Sequence, residues 1–75
     1  MNIHDELILL LAEMNIVVDE NGEFIDLDSV EFIAMIIRVE ETFGITFPDD
    51  LLMMPLVNSI NKLEIIINNV LSGAE

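Results

Sequence analysis

Residues 27 to 44 read LDSVEFIAMIIRVEETFG, and how this run is read decides the fold. It opens on polar residues that suit a helix start and closes on Gly44, suited to the left-handed position just past a helix end. Between them the apolar residues recur at helical spacing. With about 100° between successive residues, Phe32, Ile36, Val39 and Phe43 cluster on one side with Met35 beside them, which makes that side the core face. Glu31, Arg38 and Glu41 lie roughly opposite. Val30, Ile33 and Ile37 form a second apolar strip on the flank, next to Glu40. The helix, starting at Ser29 or Val30 and ending at Phe43, is therefore more apolar than packing on one side requires. Ser29 at its start has two readings. Its hydroxyl caps the helix by accepting a backbone N–H two or three residues on, or it stands at an exposed corner as a point of attachment.

Upstream, Ile3, Leu7, Leu10, Leu11 and Met14 recur at helical spacing, with Ile8 and Leu9 widening the stripe. Asn2 or His4 is available as a cap, and Asp5 and Glu6 suit the positive end of the helix. From Asn15 to Asp28 the chain reads as a loop, turning at Asp19-Glu20-Asn21-Gly22. Ile16, Val18, Phe24, Ile25 and Leu27 are expected to pin it to the core. A loop of this length in so short a chain is often functional. Downstream, Ile45 to Asp50 reads as an extended connector, because Pro48 pushes the residue before it out of helical angles. Asp49 or Asp50 can cap a short helix through Met54, stopped by Pro55. A last helix begins near Asn58 or Ser59, with Ile60, Leu63, Ile66, Ile67, Val70 and Leu71 as its stripe and Gly73 at its end. The expectation is one all-α domain over residues 1 to 75: a four-helix bundle of three longer helices and one short, with a long loop between the first two.

Charge and composition narrow the function. Arg38 and Lys62 are the only basic residues against fifteen acidic ones, a net charge of −13. Affinity for phosphate backbones comes from Lys and Arg, so nucleic acid is a poor partner. Anionic membranes repel the chain for the same reason, and no stretch approaches the roughly 20 apolar residues of a membrane span. A basic protein partner fits the field better. The chain has no cysteine, hence no disulfide and no thiol chemistry of its own. The N-terminus lacks the basic start of a secretion signal, and the expected location is the cytoplasm. Hydrophobic residues make up 53% of the chain, a surplus that is expected to face solvent or a partner. The oligomeric state stays open.

Catalysis finds little support. His4 is the only histidine and lies far in sequence from Ser29 and Ser59. With no cysteine, a nucleophile, base and orienting group are hard to assemble. Calcium binding is a second candidate, since the acidic turn falls between two helices. With Gly22 at position six of an EF-hand loop, position one falls on Val17 and position twelve on Asp28, where a carboxylate and a glutamate are expected. A solvated acidic turn explains the stretch better, and no metal ligands are assigned.

The longer run from Leu27 to Leu52, LDSVEFIAMIIRVEETFGITFPDDLL, resembles the heart of the acyl and peptidyl carrier protein family. The matching features are Asp28-Ser29-Val30 at the helix start, Glu40-Glu41-Thr42-Phe43 and Gly44 at its end, Ile45-Thr46-Phe47, and Pro48-Asp49-Asp50. Residues 56 to 71, LVNSINKLEIIINNVL, look like the family's fourth helix. Leu27 and Val30-Glu31 stand where the fatty-acid branch commonly has Gly and Leu-Asp, a pattern more familiar among stand-alone and peptidyl carriers.

The resemblance implies an acyl-carrier-like bundle and a modification. In this family a serine at the place of Ser29 is joined through a phosphodiester to 4′-phosphopantetheine, delivered from coenzyme A by a magnesium-dependent phosphopantetheinyl transferase. Asp28 matches the aspartate that engages the transferase and its metal ion. Acyl or aminoacyl groups then ride on the arm as thioesters, in fatty acid, polyketide or nonribosomal peptide synthesis. Val30, Ile33 and Ile37, with Glu40 and Glu41, match the face shown to partner enzymes, whose basic patches the carboxylates steer. The function implied is a discrete carrier and not an enzyme. The alternative is an unmodified acidic helical adaptor in which Ser29 only caps.

Overall fold

A computed structural model describes residues 2–48 and 57–73. Its elements run α1 (Ile3–Glu13), β1 (Val17–Val18), β2 (Phe24–Ile25), α2 (Ser29–Phe43) and α3 (Ile60–Leu71). The short helix expected from Asp49 or Asp50 to Met54 lies outside the described residues. Three helices and a two-stranded ribbon are therefore what the described residues form.

Local chemistry sets each helix end. Asn2 caps α1, its Oδ1 accepting from His4 N at 2.8 Å and Asp5 N at 3.4 Å. At the other end Ile16 N donates to Leu11 C=O and Asn15 N to Ala12 C=O, the paired bonds of a Schellman motif. Asn15 makes this possible by adopting φ 59°, a left-handed angle that Asn tolerates better than most residues. Helix α2 stops at Gly44, at φ 66°. Helix α3 starts at Ser59, whose Oγ accepts from Lys62 N at 3.2 Å.

The core lies where the three helices meet, α1 resting on both α2 and α3. Leu7, Leu10 and Leu11 come from α1, Phe32, Met35, Ile36 and Val39 from α2, and Leu63, Ile66 and Ile67 from α3. Phe47 and Val57, from the segments beside α2 and α3, are 1% exposed. Each fully buried aliphatic or aromatic side chain contributes about 1.5–3 kcal/mol relative to exposure. Phe43 is only partly buried at the edge of this cluster. Ile8 and Leu9 do not widen the α1 stripe: they are 41% and 59% exposed.

The segment expected to be a loop contains a small hairpin. Val17 pairs with Ile25 and Val18 with Phe24, antiparallel. Asp19 closes the turn, its Oδ1 accepting from Asn21 N at 2.8 Å and Glu23 N at 3.0 Å. That carboxylate oxygen is directed at its own backbone, which gives the acidic turn a structural reason independent of calcium. Side chains alternate across a ribbon, so Val18 and Phe24 pack against the core while Val17 and Ile25 face outward. Ile25, expected to pin the loop, is thus 41% exposed. The hairpin is tied down at the start of α3 instead. Ile60 N donates to Gly22 C=O at 2.8 Å, and Phe24 N to Asn58 C=O at 3.0 Å.

Candidate functional site: the leading end of α2

Asp28, not Ser29, is the N-cap of α2. Its Oδ1 accepts from Glu31 N at 2.8 Å, and Glu31 Oε1 accepts in return from Asp28 N at 3.3 Å. This reciprocal capping box corrects the reading in which the Ser29 hydroxyl caps the helix. Ser29 becomes the first helical residue, held by rigid backbone on one side and exposed to solvent on the other.

The three serines of the chain are used differently. Ser59 is buried and its Oγ serves as the α3 cap. Ser72 Oγ donates to Asn69 C=O at 3.0 Å. Ser29 Oγ has no hydrogen bond with any of the described residues. The Ser29 hydroxyl stands at a helix start, exposed to solvent and without a partner among the described residues.

The backbone around Ser29 suits a bound phosphate. Glu31 N–H is taken by the Asp28 side chain and Phe32 N–H by Asp28 C=O, at 2.9 Å. The Ser29 and Val30 N–H groups, first in the helix, have no acceptor among the described residues. Free N–H groups and the positive end of the helix dipole favour an anion there. Opposing this, Asp26, Asp28 and Glu31 stand close in sequence, and their repulsion is tempered by solvent screening.

The apolar strip of α2 is open. Val30 is 76% exposed, Ile33 and Ile37 each 50%. On the same helix Glu41 is exposed. Glu40 differs: it is partly buried and its Oε2 accepts from Phe47 N at 2.8 Å. The carboxylate read as a steering charge therefore holds the connector to the helix. Arg38 reaches α1, its guanidinium 2.8 Å from Glu13 Oε1. Among the described residues, no group of three His, Asp or Glu side chains is arranged to hold a metal ion.

Three features were missed from the sequence. The Val17-Val18 and Phe24-Ile25 pairs around Asn21-Gly22 carried the hairpin signal, β-branched or aromatic residues flanking an Asn-Gly turn. The role of Glu40 had no local signal, because it depends on where the connector runs. Asp26, two residues before the cap, sits at φ 54°, which no pattern announced.

A model of the family described as phosphopantetheine attachment site matches residues 6–64. Comparison with curated proteins and with solved structures returned no match.

Proposed function

Because the chain belongs to the phosphopantetheine attachment-site family, whose domains are carriers holding a covalent 4′-phosphopantetheine, we propose that Ser29 is the residue that bears it. The observation that carries this reading is the uncommitted hydroxyl of Ser29 at the first position of α2, beside a cap that another residue supplies. The Ser29 and Val30 N–H groups would sit against the phosphodiester. The arm supplies the thiol that the chain itself lacks, on which an acyl or aminoacyl group is held as a thioester.

On this reading the chain is a carrier domain that works in the cytoplasm and catalyses nothing itself. Its partners are a phosphopantetheinyl transferase and the loading and condensing enzymes of a fatty acid, polyketide or nonribosomal peptide pathway. Asp28 keeps one oxygen for the cap, and its other oxygen is the one offered to the transferase and its magnesium. Val30, Ile33 and Ile37 give partners a modest apolar contact, and Glu41 the steering charge. Glu40 was expected to share that task, but its hydrogen bond to Phe47 makes its contribution to recognition secondary. No helix among the described residues is long and apolar enough to cross a membrane.

The test is a mass measurement. The chain is incubated with coenzyme A, magnesium and a broad-specificity phosphopantetheinyl transferase. It is expected to gain the mass of one phosphopantetheine, with no gain in Ser29→Ala and an unchanged gain in Ser72→Ala. A wild-type chain that stays at its starting mass, or a Ser29→Ala chain that still gains, overturns the reading and leaves the unmodified adaptor.

A further inference from the structure

A groove of about 230 Å³ runs between the hairpin and the start of α2. Its apolar side includes Val17, Ile25 and Leu27, and its polar side Asp26 and Glu31. Val17 and Ile25 are cross-strand partners, 59% and 41% exposed, so the ribbon turns a β-branched ledge toward solvent. Glu31 is already engaged with Asp28 N. Asp26 is not: its carboxylate has no hydrogen bond with the described residues. Asp26 also lines a second groove, with Phe24, Val57 and Asn58, and so stands on the ridge between the two. Its left-handed backbone, at φ 54°, belongs to the sparsely populated conformations that gather at functional sites.

We propose that this groove is a second docking point for the enzymes that act at Ser29, and that it receives an arginine side chain from them. The proposal rests on the carrier reading. The volume is below the roughly 300–1,000 Å³ of sites for whole small molecules, and suits one side chain. An apolar ledge beside a free carboxylate matches the two parts of arginine, an aliphatic stem and a flat cationic head. Charge complementarity selects a cation: neither Arg38 nor Lys62 lines the groove, Arg38 being held by Glu13. Position selects the partner. Residues 25 to 27 and Glu31 flank Ser29 on both sides in sequence, so a protein that reaches the Ser29 hydroxyl covers this ground as well. The open α2 strip of Val30, Ile33 and Ile37 excludes none of this, because Glu31 lies on a different side of the helix from that strip.

Two measurements test it on the intact chain. In transferase loading with coenzyme A, Asp26→Asn is expected to raise KM about threefold to fivefold, the upper part of the range of an exposed ion pair, with kcat unchanged. Asn tolerates the left-handed angle, so the fold is kept. Glu20→Gln, an equal loss of charge on the exposed turn outside the groove, is expected to leave KM within about twofold, since surface changes away from specific contacts have small effects. Val17→Thr, which keeps the ribbon but makes the ledge polar, is expected to raise KM as well. Equal KM values for Asp26→Asn and Glu20→Gln overturn the proposal while loading at Ser29 still stands. In the second measurement, N-acetyl-arginine amide is titrated into the unmodified chain and followed by NMR. Shifts should concentrate at Val17, Ile25 and Asp26 and weaken in Asp26→Asn. This readout does not need loading, so it survives a failure of the carrier reading. Shifts spread evenly over the acidic surface count against the groove.

Discussion

Glu40 binds Phe47 with its side chain and the turn before it with its backbone. Its side-chain Oε2 accepts from Phe47 N at 2.8 Å, and its backbone C=O accepts from Gly44 N and from Ile45 N, the latter at 3.1 Å. One residue thus closes α2 and directs the connector that seats Phe47, 1% exposed, in the core.

Glu40 and Glu41 should therefore respond differently to the same substitution. Glu40→Lys removes a charged acceptor from a partly buried backbone donor, at a cost of about 1.5–3 kcal/mol, the worth of a hydrogen bond to a charged group. Glu41→Lys should stay within about 0.5 kcal/mol of the parent, as exposed sites do, yet slow transferase loading more at low salt than at high salt. Urea unfolding of the two variants decides the first point. Equal stability losses would remove the distinction, and a salt-independent rate would remove the steering role.

Ser29→Ala should leave the fold as stable as before, within about 0.5 kcal/mol, because the cap is Asp28. Asp28→Ala should cost about 1 kcal/mol, in the range of lost N-caps. Thermal or urea unfolding that finds the serine variant the less stable of the two would show that Ser29 shares in the capping.

His4 Nδ1 lies 2.7 Å from Glu64 Oε2, joining the first turn of α1 to α3. The hydrogen bond with Glu64, then the charge of Glu64 and of Asp5, raise the imidazole pKa above its ordinary 6.5, with desolvation opposing. A folded pKa above the unfolded one means the pair's stabilisation is fully present below pH 6.5 and fades as pH rises through the folded value. An NMR titration of the His4 ring should give a midpoint above 6.5 that falls in Glu64→Gln. A midpoint indifferent to that substitution breaks the link.

Added salt should raise the melting temperature. It weakens the Arg38–Glu13 and His4–Glu64 pairs, both solvent-accessible, but such exposed pairs contribute little to stability. Against them stands the self-repulsion of a net charge of −13. Screening shortens from about 30 Å at 0.01 M to about 8 Å at 0.15 M, and the long-range repulsion is lost first. A melting temperature that falls over this range would mean the pairs outweigh the repulsion.

What could be read from the sequence was what neighbours along the chain decide. The three helices, a cap for α1 at Asn2 or His4 and for α3 at Asn58 or Ser59, the stop at Gly44 and the open strip at Val30, Ile33 and Ile37 follow from periodicity and from the conformational preferences of single residues. The resemblance carried by Asp28-Ser29-Val30 and its register with Phe43 pointed to the family that matches residues 6–64. At the edges of the apolar stripes the reading failed, at Ile8, Leu9, Ile25 and Leu71, each at least 41% exposed, because periodicity says which side a residue faces and not whether another element covers it.

Tertiary structure decided the rest. The cap of α2 is the exception, a local feature: Asp28 and Glu31, three residues apart, close their own capping box, a spacing that the reading of Ser29 as the cap passed over. The turn of Glu40 toward Phe47, the docking of the hairpin on α3 through Gly22 and Ile60, and the meeting of His4 with Glu64 across 60 positions of sequence all join segments that only packing brings together. Hydrogen bonds act over about 3 Å, so partners distant in the chain leave no mark on the local pattern until the core fixes where each segment lies.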